Sequence, residues 1–149
     1  MTGPIFVDTN VLVYDRDERD AGKHASAQAW LRQLWRSPGL GVVSGQVLGE
    51  FYWTVTKKLS PGMPVEQARR YARTLLAWTF VPIDQSAIGE AWSVQDRFGF
   101  SFWDALVVAS ARLGRCRVLL SEDLQDGQDL DGLVVVNPFA HDPGEVAGA

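Results

Sequence analysis

Ile5-Phe6-Val7-Asp8-Thr9-Asn10 is the stretch whose reading decides the fold. Three apolar residues, two of them β-branched, stop abruptly at an aspartate. Such a run reads as a short strand buried on both faces, as in a parallel sheet. Thr9 and Asn10 suit a helix start, and Val11-Leu12-Val13-Tyr14 resumes the apolar pattern. Asp8 therefore stands where a strand ends and a helix begins. In open parallel sheets that edge is where ligands bind. Alone, an aspartate there serves equally well as a helix cap or an Asx-turn. What decides is whether other carboxylates arrive at the same edge.

Working outward, strands and helices alternate. The first helix reaches about Tyr14, and Asp15 to Gly22 is a mixed-charge loop. Lys23 to about Arg36 reads as a helix, with Ala27, Trp30, Leu31, Leu34 and Trp35 at helical spacing, stopped by Ser37-Pro38-Gly39. Leu40 to Ser44 is a second strand, and Ser44 can cap a helix running to about Leu59. Val47, Leu48, Phe51, Tyr52 and Val55 form its core stripe, with Glu50 off centre. After the break at Ser60-Pro61-Gly62-Met63-Pro64, a helix opened by Pro64 runs to about Trp78. Thr79 to Ile83 is a third strand, and Asp84 caps a helix from Gln85 to about Phe98. From Ala105 to Ala111 the next helix is small or apolar on every side except Ser110, so it should be central and buried. Arg117 to Ser121 and Leu133 to Val136 are the fourth and fifth strands, separated by an acidic loop from Leu124 to Gly132. The expected fold is α/β, a three-layer α/β/α arrangement around a central parallel sheet of four to five strands. One domain spans residues 1–140, and residues 141–149 form a flexible, frayed tail.

Composition narrows the function. The 149 residues suit one domain with one real core, and 46% hydrophobic against 21% charged residues excludes a disordered or fibrous chain. No apolar run approaches the length that spans a bilayer, and Met1-Thr2-Gly3-Pro4 lacks the basic and apolar segments of a signal peptide. A cytoplasmic protein is expected. The single cysteine, Cys116, excludes an internal disulfide and a cysteine-rich zinc site and reads as a small core residue. A net charge of −4 argues against a protein that coats nucleic acid by general positive charge, but not against one that grips a short stretch.

The carboxylates do converge. In a parallel sheet with right-handed crossovers, strand C-termini and the helix N-termini that follow them share one rim. Asp8 and Asp123 follow strand ends, while Glu50 and Asp104 lie in the first turns of helices. Ser101 and Asp104 also have capping-box spacing, a structural reason for that aspartate. Two carboxylates about 5 Å apart repel by roughly 3 kcal/mol at an effective dielectric of about 20. Several such pairs would consume much of a total stability of about 5–15 kcal/mol. The cluster persists if acids stay protonated or cations bind. Hard oxygen ligands without histidine or cysteine suit Mg²⁺ or Mn²⁺, which can activate water and hold the oxygens of a phosphodiester.

Val7-Asp8-Thr9-Asn10, Gly49-Glu50-Phe51, Phe102-Trp103-Asp104-Ala105-Leu106 and Leu120-Ser121-Glu122-Asp123 together resemble the PIN-domain ribonuclease family, and within it the small VapC toxin branch of toxin–antitoxin pairs. The match runs from about Ile5 to Phe139. The resemblance implies catalytic, metal-holding acids at Asp8, Glu50, Asp104 and Asp123, with Asn10 and Ser121 as accessory polar positions that orient water or an acid. It implies Mg²⁺- or Mn²⁺-dependent endonucleolytic cleavage of RNA by a homodimer that a small antitoxin inhibits. Motif alignment favours Asp123 over Glu122, which reads as a surface charge.

Rival readings fail on single residues. A haloacid-dehalogenase phosphatase needs an aspartate where Asn10 stands. A receiver module needs paired acids at the first strand and a late lysine, yet the last lysine is Lys58. A von Willebrand-like adhesion domain needs serines where Asn10 and Leu12 stand. A non-toxin PIN nuclease, or a PIN fold that binds RNA or a partner without cutting, is the strongest alternative, and the intact acid set argues against the second. Arg69, Arg70 and Arg73 form the densest basic cluster and are candidates for flanking an RNA path. Of the six tryptophans, Trp30, Trp35 and Trp53 are candidates for a dimer or antitoxin groove.

Overall fold

Strand β1 (Ile5–Val7) is buried on both faces and pairs in parallel with a neighbour on each side. This is the environment that its unbroken apolar run requires. The structure is a computed structural model and describes residues 3–147. In chain order, α1 (Thr9–Arg16) and α2 (Ala21–Trp35) lead to β2 (Gly41–Ser44). Next come α3 (Gly45–Trp53), a π-helical turn (Thr54–Lys58), α4 (Val65–Leu75) and β3 (Thr79–Val81). Then follow α5 (Gln85–Phe98), α6 (Phe102–Leu113), β4 (Val118–Leu120), β5 (Asp129–Leu130), β6 (Leu133–Val136) and α7 (Pro143–Ala147).

The sheet order is β3-β2-β1-β4-β6-β5, all parallel except the β5–β6 hairpin. From β1 the chain winds outward through β2 and β3, then returns to the other side at β4. Right-handed crossovers therefore put α1 to α4 on one face and α5 with α6 on the other, giving three layers. The direction of winding reverses between β1 and β4, so their C-terminal ends form the crevice where such sheets hold ligands.

Each element starts for a local reason. Asp20, Ser44, Asp84 and Ser101 cap α2, α3, α5 and α6 by accepting from backbone amides at the third position. Gly99, at φ 77°, ends α5 in the left-handed conformation. As its composition predicts, α6 is buried continuously from Ala105 to Ala111, and the Ser110 hydroxyl donates to the Leu106 carbonyl at 2.8 Å. Cys116 is buried, and burial pushes its thiol up to about 12, consistent with an inert core residue.

Several expectations are corrected. The sheet has six strands, because the acidic loop contains the two-residue β5. Gly132 (φ 100°) and Asp131 (φ 56°) make the tight β5–β6 turn. The helix expected to reach Leu59 ends at Trp53 and continues as the π turn. The tail carries the short helix α7, and His141 bridges Asp126 at 2.7 Å and Glu145 at 3.1 Å; Gly148 and Ala149 lie outside the described residues. Trp30 is fully buried, its indole N–H donating to the carbonyls of Pro138 and His141, so it offers nothing to a partner. Trp35 and Trp53 are exposed, as are Trp92 and Trp103.

At Gly41 the sheet meets the Trp78 indole so closely that a Cβ would stand 2.6 Å from the ring. Trp78 is itself confined, buried and 5.0 Å from Trp35 between ring centroids. Gly41→Ala should therefore overpack this corner and cost about 1–3 kcal/mol. A thermal melt checks it: the variant should lose several degrees in Tm, and an unchanged Tm contradicts the packing.

Candidate active site

Asp8 leaves β1 with its carboxylate buried at the β1–β4 crevice. Its Oδ1 accepts from the Thr9 amide at 2.7 Å and its Oδ2 from the Ser121 hydroxyl at 2.8 Å. Ser121, fully buried just beyond β4, also accepts from the Asp123 amide at 3.1 Å through the same Oγ. Asp123 is held a second time by Asn10, whose Nδ2 donates to Oδ2 at 3.1 Å. Glu50, on α3, accepts from the Thr9 hydroxyl at 3.3 Å. Residues 8, 9, 10, 50, 121 and 123 thus form one connected network drawn from three distant parts of the chain.

Asp104 reaches the same rim by another route. It lies in the first turn of α6, where its amide donates to the Ser101 capping hydroxyl, and its charge repels that of Glu50. A cavity of about 390 Å³ opens here, lined among others by Asn10, Glu50, Glu122 and Asp123. Asp104 does not line it. Glu122 is tied to Lys23 at 2.8 Å, and Lys23 rests over the Tyr14 and Phe139 rings. It is a neutralised wall of the cavity rather than a free surface charge. Arg69, Arg70 and Arg73 are exposed on α4 and do not line the cavity; Arg69 pairs with Glu66 and lies over the Tyr52 ring.

The electrostatics are costly. Burial raises Asp8 to about 6, the Ser121 and Thr9 hydrogen bonds offset part of that, and Asp123 and Glu50 add repulsion. Glu50 is exposed by area, yet it too lies above its ordinary range. Desolvation is the main cause, the Thr9 bond opposes it, Asp123 repels, Lys58 relieves and Asp104 repels. Lys58 belongs to the π turn, so that irregularity brings a cation toward the acids. The donor set fits a hard divalent cation: carboxylate oxygens under mutual repulsion, plus a buried Asn10 Oδ1 with no hydrogen-bond partner. Among the described residues no group of three His, Cys, Asp or Glu side chains forms a ready-made metal cage.

Three contributors escaped the sequence reading. Thr9 was legible as the neighbour of Asp8, but its bond to Glu50 was not. Lys23 and the π turn carried no local signal, since each acts through a residue far away in sequence.

Asp8 sets a pH dependence of definite sign. Its native value is about 6 against an ordinary 3.8, so between these the folded chain binds more protons than the unfolded one. Stability therefore falls as pH rises through that window. Above it the charged carboxylate costs about 2–3 kcal/mol, at about 1.4 kcal/mol per pKa unit. In chelator, Asp8→Asn should melt several degrees above wild type at pH 8, with the gap closing at pH 4. Equal melting temperatures at both pH values contradict the assignment.

The fold is shared with known proteins. The PIN domain profile matches residues 5–126. A toxin–antitoxin complex from Klebsiella pneumoniae aligns with a TM-score of 0.62 at 21% identity, covering 91% of this chain and 97% of that one. VapC20 of Mycobacterium tuberculosis, described as a Sarcin-Ricin loop cleaving toxin, aligns with a TM-score of 0.57 at 22% identity, covering 77% and 86%. VapBC2 from Rickettsia felis, bound to a DNA fragment from its promoter, aligns with a TM-score of 0.60 at 16% identity, covering 89% and 97%. At these identities the likeness is one of fold. No curated protein sequence matches. With the profile spanning most of the chain and the acids gathered at the strand ends, this chain belongs to the PIN domain family.

Proposed function

We propose that the chain is a Mg²⁺- or Mn²⁺-dependent endoribonuclease and the toxin of a type II toxin–antitoxin pair. The observation that carries the reading is the Ser121-centred network, which gathers the buried Asp8 and the exposed Asp123 at the sheet's switch point beside Glu50. Support for RNA as substrate and for an antitoxin partner comes from two proteins that share its fold, a Sarcin-Ricin loop cleaving toxin and a toxin–antitoxin complex. No helix among the described residues is long and apolar enough to cross a membrane, which suits a cytoplasmic protein.

Asp8, Glu50, Asp104 and Asp123 are the carboxylates that would hold the cation. When bound, it would supply a Lewis acid for a phosphoryl oxygen and lower the pKa of water. The chain's own groups supply order. Ser121 uses one hydroxyl to donate to the Asp8 carboxylate and to accept from the Asp123 backbone, which ties the two segments together. Asn10 fixes the Asp123 carboxylate, and Thr9 holds Glu50 toward the cavity. Lys23 neutralises Glu122, which keeps a further negative charge from joining the cluster. Arg69, Arg70 and Arg73 would flank the RNA path from α4, and exposed Trp35 and Trp53 would serve a homodimer or antitoxin contact.

Cleavage of structured RNA by the purified protein should require Mn²⁺ or Mg²⁺ and stop in chelator. Asp8→Asn and Asp104→Asn should lower the rate at least about 100-fold. Ser121→Ala and Asn10→Ala should lower it about 10–100-fold, as loss of groups that orient ligands does. Cutting that survives chelator, or both aspartate substitutions, overturns the reading. For the toxin assignment, expression alone should arrest growth, and co-expression of a small neighbouring gene should restore it. A sedimentation experiment at micromolar concentration should return the mass of a dimer.

A further inference from the structure

The acid cavity does not end at the acids. A second cavity of about 430 Å³ shares Asp17, Arg19 and Leu59 with it as a common wall, so the two form one groove. The character of the groove changes along its length. The first part is walled by Glu50, Glu122 and Asp123. The second is lined by Arg16 and Arg19 together with Asp17 and Glu18, and by the stretch Leu59, Pro61, Met63 and Pro64. Both volumes fall within the range of about 300–1,000 Å³ that small ligands occupy.

Arg19 stands at the junction and is pre-oriented. Asp17 grips its Nε at 2.9 Å and its Nη2 at 3.0 Å, while Nη1 has no hydrogen-bond partner among the described residues. The guanidinium is more than half exposed. The Arg16 guanidinium carbon lies over the Tyr71 ring, 5.3 Å from its centroid, and Tyr71 donates in turn to Asp15 at 2.6 Å. Two arginines fixed by neighbouring side chains lose less freedom on meeting an anion than free ones do. The Met63 side of the groove is fixed by its backbone, whose amide donates to the Val55 carbonyl at 2.8 Å.

Resting on the nuclease reading above, we propose that this second cavity is a subsite for an unpaired nucleotide next to the scissile phosphodiester, with Arg19 and Arg16 holding its phosphate and the Leu59–Met63 wall receiving its base. A base plane has an apolar face to bury, and Met and Pro side chains offer adaptable apolar surface. A phosphate repelled by the acid cavity finds there the arginines lining this groove. A double-stranded substrate could not turn a base into it, so the subsite selects single-stranded or looped RNA. From Pro64 the chain passes straight into α4, which carries Arg69, Arg70 and Arg73.

The test uses Asp8→Asn protein with Mg²⁺ and fluorescein-labelled single-stranded A₆ and U₆ RNA, read by anisotropy across a salt series. Adding Arg19→Gln should weaken binding by about 5–10-fold and reduce the salt slope by about 0.7, the share of one phosphate on a single strand. Adding Met63→Ser should weaken binding with the slope unchanged. Arg97→Gln, at a distant ion pair with Asp131, controls for net charge. Arg19→Gln affinity equal to that of the Arg97→Gln control, or no binding by any protein, overturns the subsite. The two readings fail separately. If wild type cuts RNA and these losses are absent, only the subsite falls. If the losses appear but wild type cuts nothing, only cleavage falls.

Discussion

The structure is built around a carboxylate in the wrong place. β1 has a strand on each side and helices on both faces, and at its end it delivers Asp8 into an environment that resists charge. Burial is the largest influence on that side chain, and only two donors, the Thr9 amide and the Ser121 hydroxyl, work against it. Neighbouring acids then add repulsion. A chain selected for stability alone would place an apolar residue or an amide there. Local conflict of this kind, inside a fold otherwise consistent at every level, marks a functional site.

The central part of this arrangement can be read from residues in sequence order. Ile5-Phe6-Val7 ending at Asp8 specifies a buried strand and its polar stop, and the apolar α6 segment specifies a central helix; both are as expected. These signals are local, because burial on all sides leaves a continuous apolar run. The parts that could not be read depend on distance. β5 is two residues long and exists only because β6 lies beside it. The π turn after Trp53 lies within a helical apolar stripe that continues without interruption, so no periodicity betrays it. The burial of Trp30 follows from carbonyls more than a hundred residues away, and the neutralisation of Glu122 depends on Lys23 in α2. The four acids could be named from motifs, but the hydrogen bonds that bind Asp8 to Asp123 through one hydroxyl could not.

The same geometry resolves a difficulty about charge. The chain carries a net charge of −4, and the acidic cavity adds a local field that repels a polyanion. General attraction therefore cannot hold a nucleic acid here. Some positive charge is instead held at fixed positions near the acids: Lys58 near Glu50, Arg19 against Asp17, and Arg16 on Tyr71. Each is held by a carboxylate, a ring or a helical turn. Such an arrangement offers a polyanion little attraction at a distance and sets each cation at a defined place.

The acids themselves are not equally constrained, and the difference follows from the elements that carry them. Asp8 and Asp123 sit on strand ends and share Ser121, with Asn10 adding a further bond, so their positions are set by the sheet. Glu50 and Asp104 sit on helices. Glu50 has a single long contact at 3.3 Å, and at Asp104 it is the backbone amide, not the carboxylate, that makes the bond to Ser101. One pair is tied in by several hydrogen bonds, and the other is placed mainly by its helices. Drawing four carboxylates together without a compensating charge would cost several kcal/mol of repulsion. Carrying Glu50 and Asp104 on separate helices limits that cost, while the Ser121 bonds fix Asp8 and the Asp123 backbone.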